Sequence, residues 1–104
     1  MLSGEIEIDE SLFAKYKYKQ GRIRGTMRSW VLGLKERRTG RCRFFIVGNN
    51  RSAASLLPLI LRSVKPGSVI YTDKWREYNS LRENGYIHMK VDHSIQFVNR
   101  ALEE

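Results

Sequence analysis

Two aspartates close runs that otherwise read as buried strands: Asp9 in "GEIEIDES" and Asp73 in "GSVIYTDKW". An unpaired carboxylate costs several kcal/mol to bury, so a strand that ends on one needs a reason. Two carboxylates brought together repel and raise each other's pKa unless a cation offsets them. A divalent metal is the economical answer, because magnesium takes oxygen ligands and is commonly held by one or two carboxylates plus substrate phosphates. Two such ions about 4 Å apart activate an attacking oxygen and stabilise a leaving one in phosphodiester displacement. Bland alternatives stay open at both positions. Asp73 immediately precedes a predicted helix and could be its N-cap, and Asp9 could be the solvated end of an amphipathic strand.

Elements that would bring the two acids together can be read along the chain. Strict alternation in "GEIEIDES" puts Ile6 and Ile8 on one face and Glu5, Glu7 and Asp9 on the other, a strand signal. Glu5 and Glu7 are read as solvated or paired with nearby Arg and Lys. Glycines 21 and 25 mark a loop, after which "SWVLGLKERR" and "RCRFFIVG" are a second and third strand joined at "RTG". The pattern changes at Asn50: Ala53, Leu56, Leu57, Ile60, Leu61 and Val64 recur at helical spacing, with Asn49, Asn50 or Ser52 as N-cap and "KPG" as the stop. Pro58 inside that helix predicts a kink. Then come a fourth strand, "SVIYTD", a short helix in "KWREYNSLREN" closed by Gly85, and a fifth strand in "YIHMKVDHS". A meander leaves strand three pointing the same way as strand one, and a helical crossover delivers strand four parallel to it. If strands one and four are neighbours, Asp9 and Asp73 share the sheet edge where open α/β folds place ligands.

Histidine and cysteine say less. His93 ends the fifth strand and could approach the same edge, a structural histidine being the alternative. Asp92 and His88 share the face opposite to His93. Cys42 is the one cysteine, so an internal disulfide is excluded, and with only two histidines beside it no zinc spacing arises. Cys42 is read as ordinary strand packing.

Charge points outward to a partner. The formal net charge is +8, and between Lys15 and Arg43 eleven Lys and Arg face a single acid, Glu36. Lys15, Lys17 and Lys19 interleave with Tyr16 and Tyr18, and Arg22, Arg24 and Arg28 follow. Such a block suits a ribbon lying along phosphates, with rings available for stacking. A solvated hairpin whose lysines protect a sheet edge is the alternative. The 104 residues, 41% apolar, suffice for one domain with a real core. "MLSGEIEIDES" lacks a signal-peptide layout and no run of eighteen apolar residues occurs, so an intracellular protein without a membrane span is expected.

Taken in order, "GEIEIDESLF", "RTGRC", "RSAASLLPLI", "VKPGSVIYTDKWREYNSL" and "GYIHMKVDHSIQFVN" resemble the catalytic domain of Merlin-type DDE transposases and their ISXO2-like insertion-sequence relatives. The resemblance covers nearly the whole chain. It implies an α/β ribonuclease H-like fold with a mixed five-stranded sheet, strands 1–3 an antiparallel meander and helix-linked strands 4 and 5 parallel to strand 1. It also implies metal-dependent DNA cleavage and strand transfer by two Mg²⁺ or Mn²⁺ ions on three acids. Asp9 in "EIDES" matches the first acid, Asp73 in "YTDKW" the second, and His93 in "DHS" the histidine of the family's "NHS" segment, with Asp92 where asparagine is usual. Ala14 replaces the glycine usual after "ESxF". The family's third acid follows a stretch resembling "HTQxIE" that residues 1–104 do not contain, and neither Glu103 nor Glu104 matches it. The expectation is a single partial catalytic domain with DNA as partner, impaired as an enzyme and compatible with a homo-oligomer. The alternative is a domesticated, non-catalytic nucleic-acid-binding or interaction module.

Overall fold

Alternating apolar and polar side chains build the first two strands, β1 (Glu5–Lys19) and β2 (Arg22–Glu36), into one long antiparallel ribbon. β3 (Cys42–Gly48), α1 (Ala53–Ser63), β4 (Val69–Asp73), α2 (Asn79–Glu83), β5 (Ile87–Val91) and α3 (Val98–Glu103) follow. The computed structural model describes all residues except 20, 21, 50, 51, 74–78, 93 and 104; the side chains of 13–28, 53, 79, 102 and 103 also lie outside the description. The strands form one five-stranded sheet in the order β3-β2-β1-β4-β5. β1, β2 and β3 are antiparallel neighbours, and β4 and β5 run parallel to β1. The meander and the parallel crossover expected from the sequence are therefore both present.

Of the two glycines read as a loop or turn before a strand starting at Ser29, Gly21 lies outside the described residues, and Gly25 lies within β2, which begins at Arg22 and pairs Gly25 with Lys17. The register shifts between Lys17 and Tyr18. A bulge takes up one extra residue and sharpens the twist, so Gly25 marks an irregularity within the ribbon rather than its end. Fifteen residues at about 3.4 Å each give roughly 50 Å, and the molecule's longest extent is 52 Å. β3 pairs with β2 only from Trp30 onward and β4 with β1 only at Glu5–Glu7, so the far half of the ribbon projects beyond the sheet as a two-stranded arm.

One face of the sheet carries the main core: Ile6, Ile8, Leu32, Leu34 and Ile70 pack under Leu56, Ile60 and Val64 of α1, together with Leu81 and Tyr86. Each such side chain fully buried contributes roughly 1.5–3 kcal/mol. Ser52 caps α1 by accepting the Ser55 N–H. The helix continues through Pro58, which is exposed, as is Ala54, so water can reach the carbonyl that the proline leaves without a donor. The turn between β2 and β3 falls at residues 37–39, where Gly40 adopts φ +76°. Cys42, expected to be packed, is exposed; it opens an edge strand that has a neighbour on one side only.

His88 sits in this core, 5% exposed, with Nε2 2.6 Å from the Thr72 hydroxyl. Burial holds its pKa below the usual imidazole value, and the Lys90 and Arg82 charges push the same way. The unfolded chain then binds the proton more readily than the folded one, so stability present above about pH 6.5 is lost as pH falls below it. Urea midpoints for the wild type should fall between about pH 7.5 and about pH 5, by at most roughly 1.4 kcal/mol per pH unit. His88→Gln should flatten that slope.

Candidate functional site

The β1–β4 ladder starts at Glu5 and Val69 and stops at Glu7 and Tyr71. Two residues further along each strand lie Asp9 and Asp73, so the two carboxylates hold matching positions just past the point where the strands part. β1 itself does not end at Asp9, as its sequence pattern suggested, but runs on to Lys19 with β2. What ends there is the pairing. The opening forms a cavity of about 230 Å³ whose wall includes Asp9, Glu10, Asp73, Thr72, Ser94 and Gln96.

Asp9 is 8% exposed, which overturns its reading as a solvated strand end. Its Oδ2 accepts two backbone N–H groups, from Phe97 and Val98, each at 2.9 Å. Those donors belong to the segment leading into α3, which crosses the sheet face opposite to the main core. Gly33 pairs with Asp9 across the β1–β2 ladder and makes the crossing feasible. A Cβ at residue 33 would lie 2.4 Å from Val98 Cγ2 and 2.7 Å from Phe97 Cε2. Val98 is fully buried against that space, and the Ser11 hydroxyl donates to Asn99 Oδ1 alongside it. With Oδ2 engaged, Oδ1 is the oxygen that Asp9 has left for the cavity.

Glu5 and Glu7 are occupied elsewhere, as their sequence context suggested. Glu7 is ion-paired with Arg37 at 3.2 Å, and Glu5 accepts the Tyr71 hydroxyl at 2.8 Å. Arg37 also stacks 3.7 Å from the Tyr71 ring centre. The bond to the Glu5 carboxylate raises the Tyr71 pKa, since the carboxylate favours the neutral phenol.

The remaining expectations divide. The backbones of Lys15, Lys17, Lys19, Arg22, Arg24 and Arg28 run along the projecting arm, and their side chains lie outside the described residues. His93 lies outside them entirely, as do residues 74–78, where Asp73 would have capped a helix. Glu10, Gln96 and the Phe97–Val98 backbone were not anticipated as parts of the site, and neither was α3. The signal for Gly33 was present: a glycine inside "VLGLK", amid alternating apolar residues, marks close approach of another backbone.

The donor set is compatible with magnesium: two carboxylates beside a polar, open cavity leave room for waters and for substrate oxygens. Among the described residues no three of His, Cys, Asp and Glu converge as a closed metal cage. No helix among the described residues is long and apolar enough to cross a membrane.

A family model for the ISXO2-like transposase domain matches residues 1–101. The chain belongs to that family. The ISXO2-like domain is also 38% identical over 58 residues to an uncharacterized transposase-like protein of Haemophilus influenzae, a match covering 55% of this chain and 47% of that relative. The matched region thus spans about half the length of the curated relative. The chain is therefore a transposase-family domain.

Proposed function

We propose that this ISXO2-like domain is a DDE transposase catalytic domain of the Merlin type, acting inside the cell on DNA phosphodiester bonds by metal-dependent hydrolysis and strand transfer. The observation that carries the reading is the matched position of Asp9 and Asp73 where the β1–β4 ladder opens into one cavity. The mixed sheet, with its meander and two parallel strands, is what a ribonuclease H-like fold would need to set them there.

Asp9 and Asp73 would hold Mg²⁺ or Mn²⁺. When bound, the metal supplies charge neutralisation at the phosphate and lowers the pKa of a coordinated water. The chain's own residues do the rest. Asp9 is held rigid by two backbone N–H groups, so its free oxygen has one orientation before substrate arrives, and such preorganisation lowers the cost of reaching the transition state. The attacking oxygen, from water or a 3′ hydroxyl, would pass its proton to solvent in the open cavity. The basic arm supplies Lys15, Lys17, Lys19, Arg22, Arg24 and Arg28 for the backbone of the same DNA.

Incubation of the wild type with supercoiled plasmid and Mg²⁺ or Mn²⁺ should yield nicked circles, and Asp73→Asn should remove them while leaving DNA binding intact. Absence of nicking by the wild type, with binding retained, would sink the catalytic reading and leave a DNA-binding module in its place.

A further inference from the structure

Among the described residues, the cavity at Asp9 and Asp73 is lined by three acids, since Glu10 joins them, and by no Lys or Arg. A polyanion approaching it meets like-charge repulsion, weakly screened where the wall keeps water out. Cations beside the cavity would offset that repulsion. A second cavity, of about 210 Å³, lies against the same stretch of chain: Ser94, Ile95 and Gln96 line both. Its other walls are Glu7, Lys35, Phe97 and Arg100. Glu7 is already neutralised by Arg37 at 3.2 Å. Lys35, from β2, lies 5.8 Å from the centre of the Phe97 ring, which holds its ammonium at the cavity. Arg100 comes from α3. Among the described residues neither Lys35 nor Arg100 has a carboxylate within ion-pair distance.

We infer that Lys35 and Arg100 form a phosphate subsite that seats the backbone phosphodiester next to the one presented to Asp9 and Asp73. This rests on the reading of the acidic cavity as the place of cleavage. Two cations from different elements, one held by an aromatic ring, converge on a space with a polar wall, as recognition of a single phosphate requires. α3 then has two duties: its entry segment orients Asp9, and its Arg100 grips the strand.

The test is the salt dependence of binding to a short labelled duplex, measured by fluorescence anisotropy in EDTA so that cleavage plays no part. Two cations sharing one phosphate release about one counterion, so Lys35→Gln/Arg100→Gln should reduce the slope of log affinity against log salt by about 0.9. Arg62→Gln/Lys65→Gln, an equal loss of charge around the end of α1, should leave the slope unchanged. An unchanged slope in the first variant, an equal fall in the second, or no binding by the wild type overturns the subsite. If the slope falls as expected and the wild type still fails to nick plasmid, the cleavage reading fails while the subsite stands.

Discussion

Asp9→Ala should abolish metal-dependent nicking, by at least about 100-fold, and should also destabilise the fold. The two effects have separate causes in one side chain. Oδ2 accepts the Phe97 and Val98 N–H groups, and alanine leaves both without an acceptor. The Val98 residue is fully buried, so the cost is roughly 1–3 kcal/mol for each donor that water cannot reach. Asp9→Asn separates the effects. Its amide oxygen can still take both backbone donors, so the urea midpoint should stay near that of the wild type. The neutral amide cannot hold a divalent cation as a carboxylate does, so nicking should be lost all the same. Were Asp9→Asn to nick normally, Asp9 would be an anchor for α3 and nothing more.

That double duty bears on how the site could be read from sequence. The strand that carries Asp9 was legible because Ile6 and Ile8 alternate with acids, and the position of β4 followed from the crossover through α1. Both are consequences of period and handedness, which a sequence displays directly. Gly25 misled because a glycine in a bulge and a glycine in a turn look alike in sequence; only the pairing partner separates them. Cys42 misled because burial at an edge depends on what covers the strand. Asp9 seemed to end its strand for a similar reason: β1 continues, but its parallel neighbour does not.

What the sequence displayed least was the return of residues 94–98 across the sheet. No apolar period marks that segment, and α3 is a helix of six residues, too short to announce itself by spacing. Its position is set by tertiary contact: Val98 and Phe97 against Gly33, and their backbone N–H groups on Asp9. The site therefore depends on a residue on β2 that touches neither metal nor substrate.

Gly33→Ala tests that dependence. Gly33 does not occupy the left-handed region, so alanine fits its backbone and, by restricting the unfolded chain, would by itself stabilise by about 0.4–1 kcal/mol. Any loss must then come from the collision of the new Cβ with Val98 Cγ2 at 2.4 Å and Phe97 Cε2 at 2.7 Å. Overpacking of this kind costs roughly 1–3 kcal/mol, and the segment that relieves it is the one bonded to Asp9. A lowered urea midpoint and reduced nicking should therefore appear together. Val98→Ala in the same chain removes the nearest of the colliding atoms. The double variant should recover part of both losses, with a coupling energy of about 0.5–3 kcal/mol. Losses in stability and nicking that simply add would mean that Gly33 and Val98 act independently, and that the orientation of Asp9 does not pass through their contact.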